Sequence, residues 1–354
     1  MCHMLCTNLM LDHFRAIDLE WSSIQLMISR LSKNSSNFDA HFLNVLANGT
    51  MSPNLTPPVR WLRGLAFAAI SVLIFSGWFV VTRFTVTHQL RIWDVTALRF
   101  GAGAILLAPV LLKQRLSAAA WLEGLLYSVL WGAPFVLLVA TGLKLTTAAQ
   151  ASSIVPALMP VIAGLISWHL TKQRPASSTI WSYLAILTGL IALVASRPQT
   201  DGAIDPWGYA ALLLAALTWA VYSVRFRTSQ LSALQSAALI CFWSAVVFIP
   251  VYVGWNLSRL NQASTNEIVF QFVYQGVFMS GVALFAYNRA VAMLGSGAAS
   301  AMMALVPVLA TLLAVPVLGE VPSLLGVAAI IVISLGVVIA ARRPFSVAIL
   351  KRAQ

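Results

Sequence analysis

With 354 residues, 60% hydrophobic content, 9% charged content and a mean hydropathy of +0.86, the chain has too little polar surface to coat a water-solvated globule. Its formal charge of +12 and pI near 10.3 are spread in small groups between apolar runs rather than along a stripe, which argues against nucleic acid as a partner. Three cysteines, Cys2, Cys6 and Cys241, offer neither a disulfide framework nor paired metal-ligand spacing, so no metal and no cofactor is expected.

Residues 1–58 mix polar and apolar positions without a basic region followed by a clean apolar one, so this extension does not read as a signal peptide. It is expected to be poorly ordered, and Met51, just before a proline-containing stretch, is an alternative start of translation. Beyond it, ten apolar runs, with Arg99 and Glu123 the charges inside them and Arg83, Arg225 and Arg289 at their ends, approach or exceed the roughly 20 helical residues that cross a hydrocarbon core. They lie at about 64–83, 95–112, 120–142, 147–170, 177–196, 207–225, 232–253, 269–289, 297–318 and 323–341. The expected fold class is all-α integral membrane, because an isolated span must satisfy its own backbone hydrogen bonds.

The connectors are short and marked by charge or turn chemistry, as in Lys113-Gln114-Arg115, Lys172-Gln173-Arg174-Pro175 and Gly319-Glu320-Val321-Pro322. With both termini cytoplasmic, Lys and Arg divide about 13 to 5 in favour of the inner side, the usual bias of a plasma-membrane protein. Trp61, Trp93, Trp121, Trp168, Trp181, Trp207 and Trp255 fall near span ends, where indole favours the headgroup region.

Gln150 through Pro175 aligns without gaps on Gly297 through Pro322, an offset of 147. Ser153, Pro160 and Pro175 meet Ser300, Pro307 and Pro322, and these carry more weight than the apolar identities around them. A weaker match sets Gly64, Trp78 and Arg83 against Gly208, Tyr222 and Arg227. Five spans separate equivalent positions, so the halves, 59–197 and 198–343 with a tail at 344–354, are expected to enter the membrane from opposite sides.

Four tags now stand in order: Thr96-Ala97-Leu98-Arg99-Phe100, the alanine-rich segments ending at Pro160 and Pro307, Tyr287-Asn288-Arg289-Ala290, and Leu318-Gly319-Glu320. On these the stretch from about 64 to 341 resembles the EamA-type drug/metabolite transporter superfamily. The resemblance implies two inverted five-helix repeats and a secondary transporter, an exporter of small metabolites such as amino acids, or of xenobiotics. The first half departs from the pattern, since Gln173 stands where the second half has Glu320. That asymmetry favours a structural helix-end role for Glu320.

Transport chemistry needs polar or aromatic groups near the midplane, facing the space between the halves. The aromatic candidates are Trp78, Trp131, Trp219 and Tyr222; the polar ones are Gln150, Ser153, Gln275, Tyr287, Asn288 and Ser300. Against this stands the plainer reading that the rings fill space between helices and the hydroxyls bond back to their own helix. Pro156, Pro160 and Pro307 are candidate hinges, each removing an amide donor inside a span. Arg99, Arg289 and Glu320 are charged candidates near helix ends. Arg99 either snorkels toward Asp94 at the outer interface or attracts an anion within the protein, with roughly 2.5 to 3.5 kcal/mol at stake for a charge at the centre of a span.

The expected partners are a small-molecule substrate and the lipid bilayer, with the chain a monomer or a homodimer. A membrane-embedded enzyme would need a nucleophile, metal or paired-aspartate signature, and none is present in the sequence. A non-transporting receptor or assembly subunit is the other alternative, distinguished by the polarity of its centre.

Overall fold

The computed structural model describes residues 57–88, 90–113, 115–172, 174–196, 205–226, 228–294 and 302–341. Among these residues there is no strand. The helices are α1 (Pro57–Thr87), α2 (Ile92–Lys113), α3 (Ala118–Trp131), α4 (Ala133–Leu145), α5 (Ala148–Thr171) and α6 (Ser177–Ala195). Then come α7 (Pro206–Phe226), α8 (Ala233–Gly254), α9 (Thr265–Gln271), a π-helical segment (Phe272–Ala283), α10 (Leu284–Leu294), α11 (Val306–Leu318) and α12 (Leu324–Ala341).

Taking α3 with α4, and α9 with the residues that follow it, as single rods, eight helices are long and apolar enough to cross a membrane. α11 and α12 are apolar but shorter, and they stand in the ninth and tenth places along the chain. Leu112, Leu126, Leu187, Ile191 and Ile331 are exposed along these helices, as acyl chains require of an outer surface. Trp61, Trp181, Trp207 and Trp255 are exposed close to helix ends, the position an amphipathic ring takes at an interface.

Two rods depart from the uniform helices that their apolar runs suggest. The run at 120–142 breaks at Gly132, which carries φ −96° and ψ −136°. Pro134, near the start of α4, lacks an amide donor and is tolerated there because the first turn of a helix has none to satisfy. Ser244 of α8 accepts a hydrogen bond from the Ala133 amide at 3.1 Å, replacing the partner lost at the break. A Cβ at position 132 would collide with the Ser128 carbonyl and the Ser244 hydroxyl, so glycine is required by close approach. In the other half the eighth rod winds as a π-helix over Phe272–Ala283, near the equivalent position at the 147-residue offset.

The helices pack in a pattern that survives exchange of the halves. α6 packs on α12, α2 on α8, and α5 on α11, each pair being formed by equivalent members. The remaining major pairs come in twos: α5 with α7 matches α11 with α1, α4 with α7 matches α10 with α1, and α3 with α8 matches the π segment with α2. Small residues permit the closest approaches, as at Gly276 against Ala102 and Gly208 against Leu145.

At one end of the bundle, Arg83 pairs with Glu320 at 2.9 Å. Arg83 also donates through Nη1 to the carbonyls of Leu143 and Lys144, at the C-terminus of α4. Glu320 accepts from the Ala148 amide at 2.8 Å, at the N-terminus of α5. Asp94 is fully buried and accepts from the amides of Arg91 and Arg259 and from the Tyr252 hydroxyl, which ties the start of α2 to the end of α8.

Candidate functional site

Trp78 in α1 is buried at 4% exposure and donates its indole N–H to Gln275 Oε1 at 2.9 Å. Gln275 donates in turn to Thr82 at 3.4 Å and to Gln271 Oε1 at 3.3 Å, and Gln271 donates to Thr85 at 2.5 Å. Trp78, Thr82 and Thr85 are spaced by about one helical turn, and Gln271 and Gln275 by one turn on the facing rod. The result is a polar ladder of buried side chains between α1 and the eighth rod. Such a ladder joins two apolar helices tightly because each buried amide or hydroxyl is costly unless paired.

Arg99 also lies against Trp78, its guanidinium carbon 5.0 Å from the ring centroid and 5.9 Å from that of Phe100. It does not reach Asp94, whose two oxygens are taken by Tyr252 and by backbone amides. Of the two readings of Arg99, the one that brings it to Asp94 finds no contact between them, and its guanidinium lies by the Trp78 ring instead. Around Gly103, one turn further along α2, lie Cys241 of α8 and Ser280 of the π segment, which share a side-chain hydrogen bond.

A second focus surrounds the break in the third rod. Trp131 stacks on Tyr222 with centroids 4.9 Å apart and an interplanar angle of 9°, and on Trp219 at 6.1 Å. Phe135 meets Trp219 edge-on, while Tyr127 and Phe226 extend the cluster from the far side of Tyr222. The Tyr222 hydroxyl is 3.2 Å from Ser236 Oγ. Trp131 ends α3 at the glycine break, so its ring projects where the helix axis is interrupted. Its Nε1 is buried and has no hydrogen-bond partner among the described residues.

The other candidates divide. Gln150 forms a reciprocal cap with Thr147 at the start of α5, and Ser153 bonds back to the Ala149 carbonyl at 2.7 Å, so both serve the helix that carries them. Tyr287 packs beside the small cluster of Ala68 and Ala290, and Arg289 lies 5.5 Å from the Phe285 ring. The Asn288 side chain and Ser300 lie outside the described residues, as does Gln173. Pro156 and Pro160 sit within α5, which remains helical across both. Pro307 differs: a turn at Ala304–Leu305 precedes α11, and Pro307 lies in that helix's first turn rather than in its interior.

Sequence reasoning missed Thr82, Thr85, Gln271 and Ser244. Two glutamines one turn apart in an otherwise apolar run were a usable signal for Gln271. Nothing in the sequence pointed to Ser244, whose role depends on a break in another rod.

The family model described as the EamA-like transporter family matches residues 62–195 and 206–342, once in each half. The chain belongs to the EamA-like transporter family. Both matched segments carry one member of each reciprocal helix pair. No curated protein matches the chain. A solved crystal structure of a protein is similar at 23% identity and a TM-score of 0.55, covering 82% of this chain and 99% of its own. That likeness concerns the fold alone.

Proposed function

We propose that this EamA-family membrane protein is a secondary transporter that exports small metabolites such as amino acids, or xenobiotics, across the plasma membrane by alternating access. The observation that carries this reading is the packing that survives exchange of the halves, together with an aromatic stack and a polar ladder that each join a helix of one half to a helix of the other. Two repeats inserted in opposite directions give two bundle arrangements of similar energy, one open to each side, and rocking between them moves a substrate bound at their interface. The break at Gly132 and the π segment lie at near-equivalent places; Gly132 is buried, and the π segment buries one face through Gln275, Gly276, Met279 and Ser280. Both termini are cytoplasmic in this reading, following the distribution of Lys and Arg.

The test is reconstitution of purified protein in vesicles loaded with the twenty proteinogenic amino acids, followed by mass analysis of the external medium. Release of a subset above protein-free vesicles is expected. Retention of all twenty would remove amino acids as substrates, and antibody access to both termini from the external face of intact cells would overturn the orientation.

A further inference from the structure

We propose that Arg99 is the recognition point for a carboxylate on the transported molecule. This deepens the proposed function and rests on the centre of the bundle being the substrate site. Arg99 Nη1 is enclosed by protein and meets no hydrogen-bond acceptor among the described residues. Its guanidinium carbon lies 5.0 Å from the centroid of the Trp78 ring and 5.9 Å from that of Phe100. Both oxygens of nearby Asp94 are engaged elsewhere, and the ion pair found among the described residues is the one between Arg83 and Glu320.

An arginine within an apolar bundle that lacks a protein counter-charge carries a large desolvation cost, and such a group is retained where a ligand supplies the missing acceptor. The fork of a guanidinium matches the two oxygens of a carboxylate, and the Trp78 ring lies within cation–π distance of it. Trp78 is itself held by Gln275, so the guanidinium is oriented by a chain of contacts reaching from α2 through α1 to the eighth rod. Those are elements from both halves, and rocking them would change the geometry around the carboxylate. The residue as a whole is half-buried, while Nη1 is enclosed.

The probe is benzoate, a planar aromatic carboxylate, titrated into the full-length protein in nanodiscs while tryptophan fluorescence is followed. Benzamide, of the same shape without the charge, and inorganic phosphate, a tetrahedral anion, are the comparisons. Saturable quenching by benzoate is expected, with benzamide and phosphate weaker and with Arg99→Gln reducing benzoate affinity by roughly tenfold or more. Arg99→Lys should lie between, because the charge remains and the fork is lost. Thermal unfolding of each variant in nanodiscs reports whether it is folded. Equal binding of benzoate by folded Arg99→Gln, equal binding of benzamide or phosphate by the wild type, or no benzoate binding overturns the proposal. Vesicle flux separates this from the transport reading: amino-acid release unaffected by Arg99→Gln leaves the transporter standing and removes the carboxylate site. Arg99-dependent binding without any flux does the reverse.

Discussion

Gly189 lies against Ile333, and Gly336 lies against Ile186, in one reciprocal contact between α6 and α12. A Cβ added at either glycine would meet the opposing isoleucine Cγ1 at 2.7 Å, with the carbonyl of Ala329 or Ser182 close behind at 3.2 and 3.1 Å. Every partner in this contact maps onto its counterpart at the same offset of 147, as an isologous interface requires. Because the two sites are equivalent, Gly189→Leu and Gly336→Leu should destabilise to a similar degree, by about 1 to 3 kcal/mol each from overpacking. Thermal unfolding in detergent measures this, and a large loss for one with none for the other would mean that the reciprocity is superficial.

The polar ladder gives a coupled prediction. Gln275→Leu removes the acceptor of the Trp78 indole and a donor to Thr82, leaving buried polar groups unpaired at a cost of about 1 to 3 kcal/mol. Trp78→Phe, with no indole N–H, should cost less in the Gln275→Leu background than in the wild type, since the unpaired donor disappears with the ring. A double-mutant cycle on unfolding free energies tests this. Additive losses would mean that the 2.9 Å bond contributes no coupling.

How far such features are legible in a sequence depends on their range. Apolar run length places the membrane helices because lipid thickness acts on each segment alone. The match of Pro160 to Pro307 exposes the repeat, yet one of these prolines lies within α5 and the other opens α11 after a turn, because neighbouring elements decide what a proline does. Arg99 and Trp78 stand out separately; their contact depends on how α1 and α2 are rotated, which composition does not encode. Gly132 and Pro134 in the third run were readable as a break, whereas nothing in the even hydrophobicity of Phe272–Ala283 marks an extra residue in each helical turn.

The stack of Trp131 on Tyr222 should govern transport more than stability. Trp131 is only half-buried, and an aromatic pair contributes about 0.5 to 1.5 kcal/mol beyond area burial. Trp131→Ala is therefore expected to lower the unfolding temperature modestly while abolishing most vesicle flux, and Trp131→Phe should recover part of it by restoring a ring face. Full flux in Trp131→Ala and Tyr222→Ala alike would assign the cluster to packing.

The Arg83 and Glu320 pair combines two helix-end interactions. The guanidinium meets the negative end of α4 through Leu143 and Lys144, and the carboxylate meets the positive end of α5 through the Ala148 amide. The pair thus clamps α1, the α4–α5 junction and the segment following α11 at one end of the bundle. Both side chains keep about a fifth of their surface, 20% and 18%, so solvent screening holds the expected loss in Glu320→Gln to about 1 kcal/mol, shrinking at high salt. The equivalent position in the first half is Gln173, so the sequence supplies no carboxylate there. Breaking the clamp should therefore favour opening at its own end in particular. Thr146, 2% exposed beside the α4–α5 junction, is the reporter. In a background with Cys2, Cys6 and Cys241 replaced by alanine, Thr146→Cys should react several-fold faster with a water-soluble maleimide when Glu320→Gln is added. An unchanged rate, with unfolding also unchanged, would reduce the pair to a surface bridge that holds nothing shut.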